Sequence, residues 1–385
     1  MTLHWYILHV LRSRRYKMTT IDYPMEAAEH AVFELRRLFE QFGYKKYKMS
    51  KFEEYDLYLE YKSFLPSAQI LTFSDLSGRL LALKPDVTLS IAKNVPKAPT
   101  VPEKVYYNEN VYRSPRGSRE YREISQVGLE FLGEVDSFSQ CEVVFLAYRS
   151  LELLSKRFVM TISHMGFVSG LLKSCKLPLM QEEKLLSLIE DKNAHEIIRI
   201  GELFELSPEK CEAIAALTTL SGSFEKTLPL ARQLVCCDTM AEALDVLERL
   251  HESLSPEFSE ECFTLDFSVV NDLSYYNGLI FQGYIPGVPR AVLSGGRYDN
   301  LMERLGKATQ ALGFAVYIDE LERVLDGAEG YDVDVLLVYE KDVSPAEILQ
   351  TMTELSKGGE TVRAQSMETS ALNYRRLVKL GKAGE

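Results

Sequence analysis

The stretch KVYYNENVYRSPRGSREYREISQVGLEFLG (residues 104–133) contains two apolar-rich runs separated by a short polar loop. The runs 104–113 and 121–133 carry the β-branched and aromatic residues that strands favour, and the loop SPRGSRE between them contains Pro and Gly. Apolar residues alternate along the second run, so they share one face of a strand. The stretch therefore predicts two joined strands of a sheet.

Strand patterns continue on both sides of this stretch, with helices between them. Residues 69–83 predict a hairpin that turns at Ser77 and Gly78, and a helix with one apolar face is predicted between Asp22 and Gly43. Further strands are predicted at 157–164, 262–270, 279–285 and 290–296, and further helices at 137–155 and from about Asp319. Because no βαβ alternation is evident, the pattern favours an α+β fold with a mainly antiparallel sheet flanked by helices.

Two segments differ from this core. Residues 165–255 lack convincing strands and contain many short amphipathic stretches, which indicates a helical insertion. Near the C-terminus, strands at 332–339 and 360–365 flank a helix opened by a capping box at Ser344. The basic run 374–382 is interpreted as a solvated helix face rather than an RNA contact. The predicted division is core, first part, 1–164; insertion, 165–255; core, second part, 256–329; and partial α/β C-terminal domain, 330–385.

The composition limits the classes of function. The net charge of −12 and the pI near 5.2 argue against an extended nucleic-acid surface. The six cysteines are scattered and the six histidines lack ligand spacing, so we expect reduced thiols and no metal site.

The N-terminal run MTLHWYILHVL is too short to span a bilayer, and its basic residues follow the apolar run, the reverse of a secretory signal. Residues 1–21 contain no acid, a weak sign of a transit peptide. A simpler interpretation makes Met18 the start and residues 1–17 an extension. We expect a cytoplasmic protein without a membrane segment.

Two segments late in the core raise a question about anions. LSGGRYDNL (293–301) has adjacent glycines that let a ligand approach closely, and LGFAVYIDEL (312–321) leads into a predicted helix. Helix N-termini attract anions, but Asp319 and Glu320 stand at this one and would repel them. Acids at a helix N-terminus are also stabilised by the helix dipole, so these two acids need not have a function. The segments indicate either a phosphate site or the loss of one.

Two pairs of polar residues are candidates for ligand binding. Asp86 and Thr88 could hold an ammonium group, or they could cap a turn and a helix. Gln126 and Glu130 lie four residues apart on a strand and share a face, where they could bind N–H groups or simply meet water. Residue type and spacing alone leave both pairs open.

Four segments together resemble the catalytic core of histidyl-tRNA synthetases. They resemble more closely a family of non-synthetase paralogues, the regulatory subunits of ATP phosphoribosyltransferase. The segments occur in the family's order, with the helical insertion in the corresponding gap, and the resemblance spans about residues 24–330. They are LALKPDVTLSIAK (81–93), VYRSPRGSREYREISQVGLEFLG (111–133), DLSYYNGLIFQGY (272–284) and SGGRYDNL…LGFAVYIDEL (294–321). The resemblance implies a class II aminoacyl-tRNA synthetase-like core.

This resemblance also implies a pocket for histidine. Asp86, Thr88 and Gln126 match positions that bind the α-amino group, although the synthetases have Glu where Asp86 stands. Glu130 matches the position that binds the imidazole. Two tyrosines match residues that help to form the pocket, where a ring and one hydroxyl suit an imidazole, although ordinary packing would also explain them. The implied histidine-binding set is Asp86, Thr88, Gln126, Glu130, Tyr276 and Tyr298.

By the same resemblance the ATP site is degenerate. Glu320 and Asn271 stand where the synthetases have arginines that bind the triphosphate and stabilise the reacting groups. Tyr317 replaces a glycine near the nucleotide, and Pro115 replaces a Glu in the loop after Arg113. Two like unit charges about 4 Å apart repel each other by about 4 kcal/mol at an effective dielectric of about 20. Glu320 should therefore exclude ATP, and the single positive charge of Arg113 cannot offset this repulsion.

The resemblance therefore implies a non-catalytic regulatory subunit of ATP phosphoribosyltransferase, which begins histidine biosynthesis. It would supply assembly, activity and histidine feedback to a short-form catalytic chain, as a homodimer within a hetero-octamer. L-Histidine is the expected ligand, and we expect no cofactor, metal, nucleic acid or membrane. The alternatives are an active histidyl-tRNA synthetase and a free-standing histidine-binding paralogue. Whether histidine regulates through this pocket or through a subunit interface stays open, as do the stoichiometry and the role of the C-terminal unit.

Overall fold

The computed structural model describes the chain with several gaps, and it divides the chain into two compact units. One unit is Ala28–Leu325, and the other comprises Asp326–Glu385 with Met1–Ala27. The N-terminal extension, 1–17, lies outside the described residues. The described residues are 27–61, 70–97, 99–114, 120–270, 275–325, 331–369 and 371–381.

Most of the strands up to residue 325 belong to one large sheet, and a smaller sheet and the helices complete this unit. The helices are α1 Ala27–Gln41, α2 Tyr55–Glu60, α3 Val87–Asn94, α4 Ser137–Leu154, α5 Met165–Ser174, α6 Leu179–Glu190, α7 Ala194–Leu203, α8 Pro208–Ala216, α9 Phe224–Gln233, α10 Asp238–Leu254, α11 Asp299–Arg304 and α12 Ile318–Leu325. The strands are β1 Lys45–Lys46, β2 Phe52–Glu54, β3 Thr72–Ser74, β4 Leu80–Leu83, β5 Glu103–Arg113, β6 Arg122–Gly133, β7 Val159–His164, β8 Ser221–Gly222, β9 Phe263–Asp266, β10 Leu279–Tyr284, β11 Leu293–Arg297 and β12 Gln310–Tyr317.

The large sheet has nine strands in the order β1-β5-β6-β12-β11-β10-β7-β9-β8. Its pairs are antiparallel except for β1 with β5 and β7 with β9. A second sheet, β2-β4-β3, contains the predicted hairpin, whose turn includes Gly78 at φ 79°. The predicted α+β fold with a mainly antiparallel sheet is confirmed.

Strand β6 is covered on both faces. Leu129 and Phe131 on one face belong to the main core, which also contains Phe39 of α1. The opposite face carries Gln126 and Glu130, which are 6% and 1% exposed. The interpretation in which these two side chains meet water is therefore wrong, because other elements pack over their face of the sheet.

The segment between β7 and β9 is mainly helical and contains α5 to α10. Helix α10 packs against α5, where Gly170 lets Met240 approach so closely that a Cβ would lie 2.8 Å from its Cγ. The segment also contributes the two-residue strand β8, which pairs with β9 and which the sequence pattern did not indicate.

The C-terminal unit contains β13 Val333–Tyr339, α13 Pro345–Ser356, β14 Val362–Gln365 and β15 Tyr374–Leu380. Strand β13 lies between β14 and β15, and both pairs are parallel. The capping box is confirmed, with Ser344 and Glu347 each accepting a hydrogen bond from the other's backbone N–H. The helical interpretation of the basic run is wrong, because this run pairs along β13 as a strand.

Candidate functional site

The candidate site lies on the Glu130 face of the large sheet, over two glycines of neighbouring strands. In the strand register Glu130 stands opposite Gly313, which stands opposite Gly296. A Cβ at Gly313 would lie 1.7 Å from Glu130 Oε2, and a Cβ at Gly296 would lie 2.6 Å from the Tyr276 ring. Because neither glycine has a side chain, the Glu130 carboxylate and the Tyr276 ring can occupy the space above the two glycines.

Two hydroxyl groups hold the Glu130 carboxylate. Thr88 donates to Oε1 at 2.7 Å, and Tyr298 donates to Oε2 at 2.6 Å. Burial raises the pKa of Glu130 to about 8, although both hydroxyls act to lower it, and the charge of Asp86 raises it further. We call Asp86, Thr88, Glu130 and Tyr298 the carboxylate cluster. Because burial disfavours the charged form of its central acid, an N–H or cationic ligand would supply a partner.

Asp86 and Thr88 enter the cluster from the start of helix α3. Asp86 is the N-cap, and its Oδ1 accepts a hydrogen bond from the Leu89 N–H at 2.7 Å. Thr88 lies inside the helix, so the interpretation of Thr88 as the cap is wrong. Burial raises the pKa of Asp86, and the charges of Arg113 and Lys84 act against that shift. The helix cap thus fixes a second acid beside Glu130.

Gln126 marks the other end of this face. Four residues of strand separate it from Glu130, a distance of about 13 Å between Cα atoms. In the register it stands opposite Tyr317 of β12 and opposite Glu109 of β5. Lys84 is fully buried, and its Nζ lies 2.9 Å from Glu109 Oε2. This buried ion pair was not predicted, and the position of Lys84 two residues before Asp86 is the only signal for it in the sequence.

Tyrosines enclose the cluster, and two of them were not predicted. The rings of Tyr275 and Tyr276 lie 4.6 Å apart, and those of Tyr275 and Tyr298 lie 6.0 Å apart. Tyr107 is 1% exposed, and burial raises its pKa well above the usual value, with Glu130 adding to the shift. The structure thus brings together five of the predicted residues, with Gln126 farther along the same face. Tyr107 lies two residues before Glu109 on the same strand, so the two side chains share a face. This spacing is the signal in the sequence that would have indicated Tyr107.

The described positions of the predicted ATP site line a separate cavity of about 210 Å³. Glu320 Oε1 lies 3.7 Å from Arg290 Nη1, and the Glu320 side chain is 16% exposed, so it does not turn away to solvent. The Asp319 carboxylate accepts a hydrogen bond from the Ser125 N–H at 3.1 Å. Pro115 and Asn271 lie outside the described residues. We call this the arginine–acid cavity; its lining is Arg113, Arg122, Glu123, Ile124, Arg290, Ala291, Tyr317, Asp319 and Glu320.

The described part of the chain contains neither a metal-ligand group nor a membrane-spanning helix. No group of three or more His, Cys, Asp or Glu side chains in it could hold a metal ion. None of its helices is both long enough and apolar enough to cross a membrane.

The sequence model of one family, described as histidyl-tRNA synthetase, matches residues 23–321. The chain belongs to the histidyl-tRNA synthetase family. Among curated relatives, it is 28% identical over 295 residues to the ATP phosphoribosyltransferase regulatory subunit of Oceanobacillus iheyensis. That match covers 76% of this chain and 72% of the relative. The family therefore includes both synthetases and proteins named as regulatory subunits.

Solved structures share the class II synthetase-like fold of this family. An ATP phosphoribosyltransferase regulatory subunit/histidyl-tRNA synthetase from Bacillus halodurans matches with a TM-score of 0.75 and 24% identity, over 96% of this chain and 100% of that one. A chain of the ATP phosphoribosyl transferase (HisG:HisZ) complex from Thermotoga maritima matches with a TM-score of 0.60 and 20% identity, over 75% and 96%. At these identities the likeness concerns the fold.

Proposed function

We propose that this protein is the regulatory subunit of ATP phosphoribosyltransferase and acts in the first step of histidine biosynthesis. The observation that carries the proposal is the contrast between the carboxylate cluster and the arginine–acid cavity. A buried carboxylate held by Thr88 and Tyr298 suits an imidazole, while Glu320 stands in the neighbouring cavity at the position where the synthetases bind triphosphate. The name of the curated relative supports the same function.

Histidine would complete the carboxylate cluster. Its imidazole N–H would donate to Glu130, and its ammonium group would lie between Asp86 and Gln126. Hydrogen bonds to charged groups contribute on the order of 1.5–3 kcal/mol, so loss of one partner should lower affinity about ten- to a hundredfold. Tyr276 and Tyr298 would cover the ring with apolar surface.

The protein would not catalyse a reaction by itself. Activation of an amino acid by ATP needs preorganised positive charge where the phosphates lie. In the arginine–acid cavity Glu320 adds a negative charge. Because its carboxylate lies 3.7 Å from the Arg290 guanidinium, it also neutralises part of that positive charge. Pro115 and Asn271, by residue type, supply no charge in place of the synthetase groups. We propose that no cofactor takes part.

The proposed partner is the short-form catalytic chain of ATP phosphoribosyltransferase. The solved HisG:HisZ complex, a chain of which shares this fold, supports a partnership of this type. On the same proposal two copies of this chain form a synthetase-like dimer, and the assembly is a cytoplasmic hetero-octamer without nucleic acid.

The test is histidine inhibition of the reconstituted complex. Glu130→Ala should raise the histidine concentration needed for half inhibition about ten- to a hundredfold, with turnover in the absence of histidine near normal. Glu103→Ala, an exposed carboxylate on the neighbouring strand β5, should leave inhibition as in the wild type. If Glu130→Ala abolishes histidine binding to the isolated subunit but leaves inhibition intact, the pocket exists and regulation acts elsewhere. If neither changes, the pocket is wrongly assigned.

An active synthetase is the second candidate, because Arg113, Arg122 and Arg290 line the cavity. Histidine-dependent pyrophosphate exchange distinguishes the two functions. We expect none above background from the purified protein, and clear exchange would favour the synthetase. Binding to histidine tRNA should likewise be weak and strongly salt-dependent, given the net charge of −12.

A further inference from the structure

Tyr317 stands where the predicted histidine pocket meets the arginine–acid cavity. It lies on β12 directly opposite Gln126, so the two side chains share a sheet face. Its side chain also lines the cavity. Burial raises the pKa values of Tyr107 and Tyr276, and the nearby Tyr317 hydroxyl adds to both shifts. Tyr317 therefore belongs to the walls of both spaces.

The positions of Glu130 and Gln126 along the face indicate that the carboxylate of a bound amino acid lies on the Tyr317 side of the pocket. Glu130 and Gln126 lie at opposite ends of the face, with the imidazole assigned to the first and the amino group to the second. The amino and carboxylate groups of an amino acid are bonded to the same carbon. On this assignment the carboxylate lies beside Gln126, and Tyr317 is the residue opposite Gln126 on the neighbouring strand. Arg113, which lines the cavity and acts electrostatically on Asp86, adds positive charge on this side.

We propose that Tyr317 is a specificity-determining residue that closes the pocket behind the carboxylate of histidine. The pocket then accepts free histidine and rejects bulky esters and amides of its carboxyl group. Removal of the phenol ring would join the pocket to the cavity of about 210 Å³, which has room for such a group. The inference rests on the proposed function, because it assumes that histidine binds with its amino group at Gln126.

The test compares two ligands, L-histidine and L-histidine β-naphthylamide, by titration calorimetry on the full chain. The wild type should bind histidine and bind the naphthylamide at least about a hundredfold more weakly, a difference of about 2.7 kcal/mol. Tyr317→Ala should reduce this discrimination to about tenfold or less. Tyr317→Phe keeps the ring and should discriminate like the wild type. Arg290→Ala, which changes another lining residue of the cavity but leaves the Tyr317 ring in place, is the control and should also leave discrimination unchanged.

The outcomes separate this inference from the function beneath it. If the wild type binds both ligands equally, or if Tyr317→Ala still rejects the naphthylamide, Tyr317 does not close the pocket, although the histidine function stands. If the wild type binds no histidine, the histidine pocket assigned under the proposed function is wrong. Thermal denaturation checks that each variant is folded. Tyr317→Leu, which removes less volume, should give intermediate discrimination, and it replaces the alanine variant if that one unfolds.

Discussion

The carboxylate cluster and the arginine–acid cavity both include residues of β6, but they balance their charges differently. In the cluster, Glu130 accepts hydrogen bonds from two neutral hydroxyls, and among the described residues no cation forms an ion pair with it. In the cavity, three arginines stand among three acids, and Glu320 lies 3.7 Å from Arg290. Within the described part of the chain Glu130 thus lacks an ion-pair partner, whereas the acid Glu320 in the cavity lies beside Arg290.

This difference indicates which space is built to take a ligand from solution. A buried acid without a cation is costly to ionise, and a ligand that brings N–H donors or positive charge relieves that cost. Acids mixed with arginines neutralise one another, which leaves little net positive charge for a polyphosphate. On the proposed function, the synthetase-like fold would keep an amino-acid site while its neighbouring space would not favour ATP.

The largest effect is expected at Gly313. In Gly313→Ala the new Cβ would lie 1.7 Å from Glu130 Oε2 and 2.5 Å from the backbone oxygen of Leu129, so a strand must move as well as a side chain. Overpacking of this kind typically costs about 1–3 kcal/mol. We expect a loss of stability in that range or above in urea unfolding. Histidine binding should become undetectable by calorimetry.

Gly358→Ala is the matched control for this prediction. A Cβ at Gly358 would meet nothing within 4 Å, so stability and histidine binding should stay close to the wild type. If Gly313→Ala binds histidine normally, the carboxylate does not depend on that glycine, and the cluster as described would be wrong.

A pH effect of intermediate size is expected at Glu130. Its pKa of about 8 in the folded chain lies above the ordinary value of 4.5, so the folded state binds more protons than the unfolded state between these pH values. The free energy of unfolding should therefore fall as pH rises through this window, by up to about 1.4 kcal/mol per pH unit from this group. Glu130→Gln cannot ionise and should lack this contribution. Urea unfolding from about pH 5 to about pH 8 measures it, and equal slopes in both proteins would contradict it.

Many of the strands and helices were predicted from local sequence patterns, but strand β12 (Gln310–Tyr317), which pairs with β6 and β11, was not. Strands β5 and β6 begin and end within a residue or two of their predicted bounds, and the capping box at Ser344 opens α13 as expected. The basic run that forms β15 was misjudged, because its pairing with β13 is a tertiary contact that charge composition does not report.

The site was accessible only in part, for a similar reason. A resemblance could match Glu130 and Tyr298 separately, but their hydrogen bond joins residues 168 positions apart and follows from the sheet register. Lys307 illustrates the same limit. It reads as an ordinary basic residue in the sequence, yet it is 9% exposed and its Nζ donates to backbone carbonyls at the end of α3, among them that of Ala92 at 2.5 Å. No local sequence pattern indicates that this lysine donates hydrogen bonds to the last carbonyl groups of a helix.

The smallest expected effect concerns the cavity and Glu320→Arg. The exchange reverses one charge and frees Arg290 from its acid at 3.7 Å, so MgATP should gain affinity. Further screening by solvent and salt in a partly open cavity keeps the gain below the roughly 4 kcal/mol of a pair about 4 Å apart at an effective dielectric of about 20, and we expect about tenfold. Pyrophosphate exchange should remain absent, because Tyr317 still fills the space beside the amino-acid site. Calorimetry with MgATP measures the gain, and Glu320→Gln should fall between the two proteins. If the wild type already binds MgATP as tightly as Glu320→Arg, the acid does not exclude ATP, and the contrast between the two spaces rests on Tyr317 alone.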